Sequence, residues 1–373
     1  MVRYLFSALL LIHGLIHGIG FFNQQRLATI PTLSGTWLGK GSESVATTMG
    51  TCWLLVGLGF LITLAGYILQ RNWWLRLALL CAVFSQVLII IYWPDAQAGT
   101  LANLIILIEV GLSYAQLRFD KQTDREAREV LNQPAGDHNA IGHEMLTALP
   151  LPVQQWLLAS GIVGKERVHT VRLRQRGLMR TSPQGKWMPT SARQYFGVDE
   201  PGFVWQADVR MMSFLPLAGR DKYANGKGNM LIKAMALVPI VDASDPATDQ
   251  GTLLRYLAEL CWFPAAALSP YISWQPIDNS HAGAIMTYKG VSAKAIFTFD
   301  QQHRISDITA RRFMGGGTAS TLQNWHIPMR AWRQINGVII PTQGDVIWQL
   351  ATGDFTYYRW TITDLDYNKP VLY

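Results

Sequence analysis

Charge is what this chain has least of. Only 15% of its 373 residues are Asp, Glu, Lys or Arg, against about a quarter in ordinary soluble domains. The shortage is uneven: residues 1–117 carry five basic and three acidic side chains, whereas the remaining 256 carry 27 and 22. The first part is therefore a membrane candidate and the second an ordinary globular one. Cysteine is scarce as well. Cys52, Cys81 and Cys261 show neither pairing nor ligand spacing, so no disulfide framework and no zinc site is implied. The sequence also lacks GxSxG and HExxH, and the glycine run Gly315–Gly317 fits no phosphate loop. No metal and no cofactor is expected. The net charge of +7 is too dilute to argue for nucleic acid, though it suits an anionic lipid surface.

What the first part has instead is apolar length. Tyr4–Phe22, Thr47–Leu69, Trp73–Trp93 and Gly99–Leu117 are each long enough to cross a hydrocarbon core of about 30 Å at about 1.5 Å per residue. The first follows a short basic start but lacks a small-residue cleavage pattern, so it is expected to be retained. Trp53, Tyr67, Trp73, Trp74, Tyr92 and Trp93 mostly fall near the span ends, where amphipathic aromatics sit. Arg3, Arg71, Arg76, Arg118, Lys121, Arg125 and Arg128 lie on one side, against Arg26 and Lys40 on the other. That bias predicts cytoplasmic termini and a cytoplasmic second part. Within the spans, His13 and His17 are four residues apart and share a helical face, a spacing that could serve a metal or haem, with Gln86 and Glu109 as partners. Hydrogen bonding between helices, brought close by Gly14, Gly18 and Gly20, is the expectation; a proton or ion path is the alternative.

From Arg118 to Asn139 the composition turns polar. Glu126 and Arg128 suit a solvated helix leaving the last span, ended by Pro134, and HNAIGHE (His138–Glu144) reads as a polar loop rather than a metal motif. A short helix, LPVQQWLLASG, follows. Beyond Gly164 the period becomes two: Val171 and Leu173 alternate with Arg172, Arg174 and Arg176, the mark of a half-buried strand. Similar runs, among them GFVWQADVRMM, GNMLIKAMALVPIV and VIIPTQGDVIWQL, are separated by turn signals such as DEPG and INGV. Ten to twelve such strands with short connections predict a large antiparallel sheet that must curl.

The exception is ATDQGTLLRYLAELCWFP. Leu253, Leu254, Leu257, Leu260 and Cys261 form an apolar stripe, Arg255 and Glu259 can pair four apart, and Asp245 or Asp249 suits a helix start. The expected fold class is therefore an α+β membrane protein: a bundle of four transmembrane helices (1–117), a polar linker (118–145), and a curved antiparallel half-barrel (146–373) enclosing one long helix.

The motifs LPLPVQQWLLASGIVG, RQYFGVDEPGFVWQADVRMM, GRDKYANGKGNMLI, PIVDASDPATDQGTLLRYLAELCWFPAAALSPYISW and GVIIPTQGDVIWQL resemble an uncharacterised bacterial domain family over about Leu149 to Asn368. The resemblance implies a bacterial protein and no particular activity; with the four spans and the basic bias, the expected location is the bacterial inner membrane. The architecture is similar to the curved sheets of bacterial lipoprotein carriers. A sheet curled around one helix leaves an interior that Phe203, Trp205, Tyr256, Trp262, Trp274, Phe297, Trp348 and Tyr357 could line. The expected function is binding of a membrane lipid or another apolar ligand. The alternatives are an enzyme using Asp242, Asp249, Arg255 and Glu259 as a carboxylate/arginine cluster, or a non-catalytic membrane scaffold.

Overall fold

A computed structural model describes residues 2–27, 42–133, 136–137, 139–212, 215–315 and 320–373. Lys40, Pro134, His138, Gly316 and Gly317, which entered the readings above, lie outside the described residues. The chain divides into two compact units, Met1–Leu117 and Arg118–Tyr373.

The first unit is helical: α1 (Val2–Gln24), α2 (Glu43–Ile68), α3 (Trp74–Ile91), a single turn α4 (Trp93–Ala96), and the start of α5 (Gly99–Leu131). Four of these helices are long and apolar enough to cross a membrane. Glycine sets the closest crossing. A methyl group on Gly14 would stand 3.1 Å from the Gly57 carbonyl oxygen, and one on Gly57 would stand 2.8 Å from that of Gly14, so α1 and α2 approach backbone to backbone. Behind this crossing the histidines enter an interhelical hydrogen-bond network. His13 Nε2 lies 2.9 Å from Asn103 Oδ1 and His17 Nε2 lies 3.0 Å from Ser85 Oγ. Asn103 Nδ2 donates to Ser85 Oγ and to Gln86 Oε1, both at 3.1 Å. Glu109 joins neither histidine; Ser113, one turn along the same helix, donates to it at 3.4 Å.

In the second unit, thirteen strands form one antiparallel sheet in the order β6-β5-β4-β3-β2-β1-β13-β12-β11-β10-β9-β8-β7. They are β1 (Thr170–Met179), β2 (Met188–Gly197), β3 (Gly202–Met212), β4 (Leu215–Ala224), β5 (Lys227–Ala234), β6 (Val238–Ala243), β7 (Ile272–Pro276), β8 (His281–Tyr288), β9 (Val291–Phe299), β10 (Ile305–Met314), β11 (Thr321–Ile335), β12 (Val338–Leu350) and β13 (Gly353–Tyr367). Two strands escaped the sequence pattern. GNMLIKAMALVPIV reads as one run, but Met235 and Ala236 take left-handed conformations (φ 51° and 56°) and turn it into β5 and β6. Neither residue type signals such a turn. The strand β4, LPLAGRDKYA, reads as polar because it carries charge on both faces.

Helix α7 (Pro246–Glu259) contacts β4 and β5 near one end of the strand order and β8, β9 and β10 near the other. Nine strand spacings separate β5 from β9, roughly 43 Å in a flat sheet, whereas a helix is only about 10 Å across. One helix reaches both because the sheet curls toward it. The curl brings the β4–β5 and β8–β9 turns together, where Lys289 Nζ donates to Asn225 Oδ1 at 2.8 Å. The helix starts where the sequence predicts: Asp245 caps it, accepting from Thr248 N at 3.0 Å, and Pro246 follows. Leu253, Leu254 and Leu257 are fully buried, each worth about 1.5–3 kcal/mol of transfer free energy. Helix α6 (Leu151–Ser160) adds Trp156 to this core, against Phe297, Phe299 and Trp274.

The end of α5 is not the solvated helix its composition suggests. Phe119 is buried with Ala218, Leu231 and Ala236, and Ala127, Val130 and Leu131 with Tyr195 and Val204. Asp124 pairs with Arg193 at 2.9 Å and Glu126 with Arg220 at 3.1 Å. Asp124, Ala127 and Leu131, with Glu126 and Val130 beside them, follow the helical repeat, so one face of a polar segment is matched to the sheet.

Candidate ligand cavity

The alternation of β4 turns Leu217, Gly219 and Asp221 to the same face as Trp205 and Val209 of β3, while Arg220 and Lys222 turn outward to Glu126. From α7, Arg255 reaches down between them. Its Nη1 donates to Asp221 Oδ2 at 2.7 Å and its Nε to Glu259 Oε1 at 2.8 Å. The guanidinium lies over the rings of Trp205 and Phe203, at 4.7 Å and 5.1 Å. Gln194 of β2 donates to the other Glu259 oxygen at 2.7 Å. One cation thus holds two buried carboxylates.

Above this cluster opens a cavity of about 590 Å³, within the usual range for small-molecule sites. Its walls are mainly apolar, with Trp205, Trp262, Trp325, Trp348, Phe355 and Trp360 prominent among them. Polar groups in the wall are mostly paired: Gln175 Oε1 accepts from Trp205 Nε1 at 3.1 Å and from Tyr358 OH at 3.3 Å.

The expected ligand aromatics divide into two groups. Trp205, Trp262, Trp348 and Tyr357 line the cavity. The other four are packed elsewhere. Phe203 lies under Arg255; Tyr256 is fully buried and donates to the Gly197 carbonyl at 3.0 Å; Trp274 meets Phe297 edge to face, and Phe297 stacks on Trp156. The charged candidates divide too. Arg255 and Glu259 share the cavity wall, but Asp249 accepts from Lys227 Nζ (2.9 Å) and Gly228 N (2.7 Å), and Asp242 accepts from Asn229 Nδ2 (3.0 Å). The geometry does not bring the four into one cluster. Asp221, Arg180 and Arg312 are charged wall residues that sequence reasoning missed, as it missed Gln194, which holds Glu259 from β2. Asp221 was legible in principle, since a strand through GRDKY would have turned it inward with Leu217.

Burial is the largest influence on Glu259 and raises its pKa; Arg255 and Gln194 oppose the rise without cancelling it. Burial also opposes the charge on Arg255, but Glu259 and Asp221 more than offset this and hold its pKa above the ordinary value. A carboxyl with a raised folded-state pKa contributes stability that is complete below its unfolded pKa, about 4.3, and is lost as pH rises through the folded value. Glu259→Gln, a neutral isostere, is therefore expected to flatten the decline in stability with rising pH just above the ordinary carboxylate range. Pulse proteolysis of the full chain across that range checks this; parallel wild-type and variant profiles would refute it.

Residues 139–360 match DUF6544, a family of unknown function. The chain belongs to this family. No curated protein matches it. Among solved structures, a putative outer membrane lipoprotein-sorting protein domain from Vibrio parahaemolyticus is 10% identical with a TM-score of 0.37, over 62% of this chain and 94% of that one. A LolA superfamily protein from Nitrosomonas europaea is 9% identical with a TM-score of 0.33, over 58% and 94%. A DUF1329 family protein from Desulfovibrio piger is 10% identical with a TM-score of 0.36, over 60% and 96%. Scores this low bear on no residue and no activity of the chain. The DUF6544 match begins ahead of α6 and ends within β13, so it takes in every residue that lines the cavity.

Proposed function

We propose that this DUF6544 protein is a membrane-tethered binding module that holds an apolar small molecule in the cavity of its curled sheet. The observation that carries the reading is the wall itself, an aromatic-lined space of about 590 Å³ above the Arg255 ion cluster. A core that needed only to be solid would close such a space, since interiors are packed about as densely as organic crystals. The four apolar helices supply the tether. The excess of basic residues beside the spans supports a bacterial inner-membrane location with the sheet on the cytoplasmic side. An acid–base role for Glu259 is the weaker reading, because both its oxygens and Arg255 are already engaged with one another, Asp221 and Gln194.

The test is native mass spectrometry of the full chain released from detergent, with extraction and identification of what co-purifies. A stoichiometric apolar adduct is expected, lost when the cavity is filled by substitution. A chain that carries no adduct, and takes up none from mixed lipid, would overturn the reading and favour a scaffold.

A further inference from the structure

We infer that the molecule in this cavity is an amphiphile with an anionic head, a carboxylate or phosphate on an apolar chain, and that Arg312 and Arg180 receive the head. The inference rests on the reading of the cavity as a binding site.

Two further cations stand in the wall. Arg312 of β10 donates through Nε to the Gly251 carbonyl at 3.2 Å and through Nη1 to Tyr357 OH at 3.4 Å. Arg180, just past β1, donates through Nε to the Thr356 carbonyl at 2.6 Å and through Nη1 to the Pro183 carbonyl at 2.5 Å, and its backbone N–H bonds the Tyr357 carbonyl at 2.9 Å. Both therefore meet the start of β13, one at the side chain of Tyr357 and the other at its backbone. A guanidinium has five N–H donors, so each keeps donors unspent. Among the described residues neither has a carboxylate partner, whereas Arg172, Arg193, Arg220 and Arg304 each have one and Arg255 has two.

Aromatic faces hold both groups. Arg312 lies 4.7 Å over Trp325 and 5.9 Å over Trp348, and Arg180 lies 4.5 Å over Trp187 and 5.6 Å over Phe355. Stacking fixes the guanidinium plane and leaves its edge for planar, bidentate contact with an oxyanion. The charge balance agrees. With Arg220 neutralised by Glu126, the lining holds Arg180, Arg255 and Arg312 against Asp221 and Glu259, a surplus of one positive charge. A cation beside apolar walls is costly without a counter-charge, and an anionic head supplies it while its chain occupies the aromatic part of the cavity.

The experiment is photolabelling of the full chain in detergent with a diazirine-bearing long-chain fatty acid and, separately, the corresponding fatty alcohol, with labelled peptides mapped by mass. The acid is expected to label peptides of β1, β10 and β13 at least about tenfold more than the alcohol, in line with the strength of a charged hydrogen bond. Palmitate and phosphatidate are expected to compete and inorganic phosphate alone to fail; competition by inorganic phosphate would mean that the site takes a free anion and needs no chain. Arg312→Gln and Arg180→Gln are expected to lower labelling by the acid toward the level of the alcohol, and labelling by the acid at the wild-type level in both variants would overturn the assignment of the head to these two residues. Equal labelling by acid and alcohol in the wild type would overturn the anionic head and leave the apolar cavity standing, whether or not the variants fold. Labelling of the apolar helices alone by both probes would overturn the cavity reading with it.

Discussion

Arg255→Met is expected to destabilise the sheet-bearing unit by about 3–5 kcal/mol, the range for removing one partner from a buried ion cluster. Arg255 is the common partner of Asp221 and Glu259, at 2.7 Å and 2.8 Å. Without it Glu259 keeps only the Gln194 amide, and Asp221 has a buried Oδ1 that already lacks a hydrogen bond. Two carboxylates would then share an aromatic surround with no cation. Pulse proteolysis of the full chain in urea reads the effect as a shift of at least a hundredfold in the unfolding equilibrium. The triple change Arg255→Met, Asp221→Asn, Glu259→Gln separates this cause from lost packing. It removes every charge of the cluster and is expected to recover most of the stability, because apolar or neutral replacements of a whole buried network are often tolerated. If the single and triple variants are equally unstable, the stacking of the Arg255 side chain on Trp205 and Phe203 matters more than its charge.

The second large effect concerns binding. Gly219, at the centre of β4 between Ala207 and Ile232, lines the cavity, and a methyl group there would meet only the Ala207 carbonyl oxygen at 3.7 Å and Trp205 Cζ3 at 3.9 Å. Both are ordinary van der Waals distances, so the backbone accepts a side chain. Gly219→Phe is expected to push an aromatic ring into the ligand's space and abolish the adduct seen by mass spectrometry. Folding should be preserved, because replacing a strand glycine relieves about 0.5–1 kcal/mol of backbone entropy. Gly219→Ala is the control, with the adduct retained. A Gly219→Phe protein that folds and still carries its full adduct would mean that the ligand lies elsewhere.

Much of this was legible in the residues because local chemistry suffices for it. The apolar spans, the period-two runs, the Asp245 cap and the leucine stripe of α7 each follow from side chains within about a turn or a strand of one another. The sequence by itself determined that the chain has an apolar helical part and a large antiparallel sheet, and that Arg255 and Glu259 face each other four residues apart. Only the tertiary structure decided which aromatics face open space and which are core. Trp205 and Phe203 have the same alternation on one strand, and their fates differ because Arg255 stacks on both while the cavity reaches only Trp205. It also decided the partners of charge: Asp221 with Arg255, 34 residues apart, and Arg312 with Tyr357, 45 apart. Such pairings depend on how far the sheet curls, and curl is a sum over thirteen strands that no single window of sequence contains.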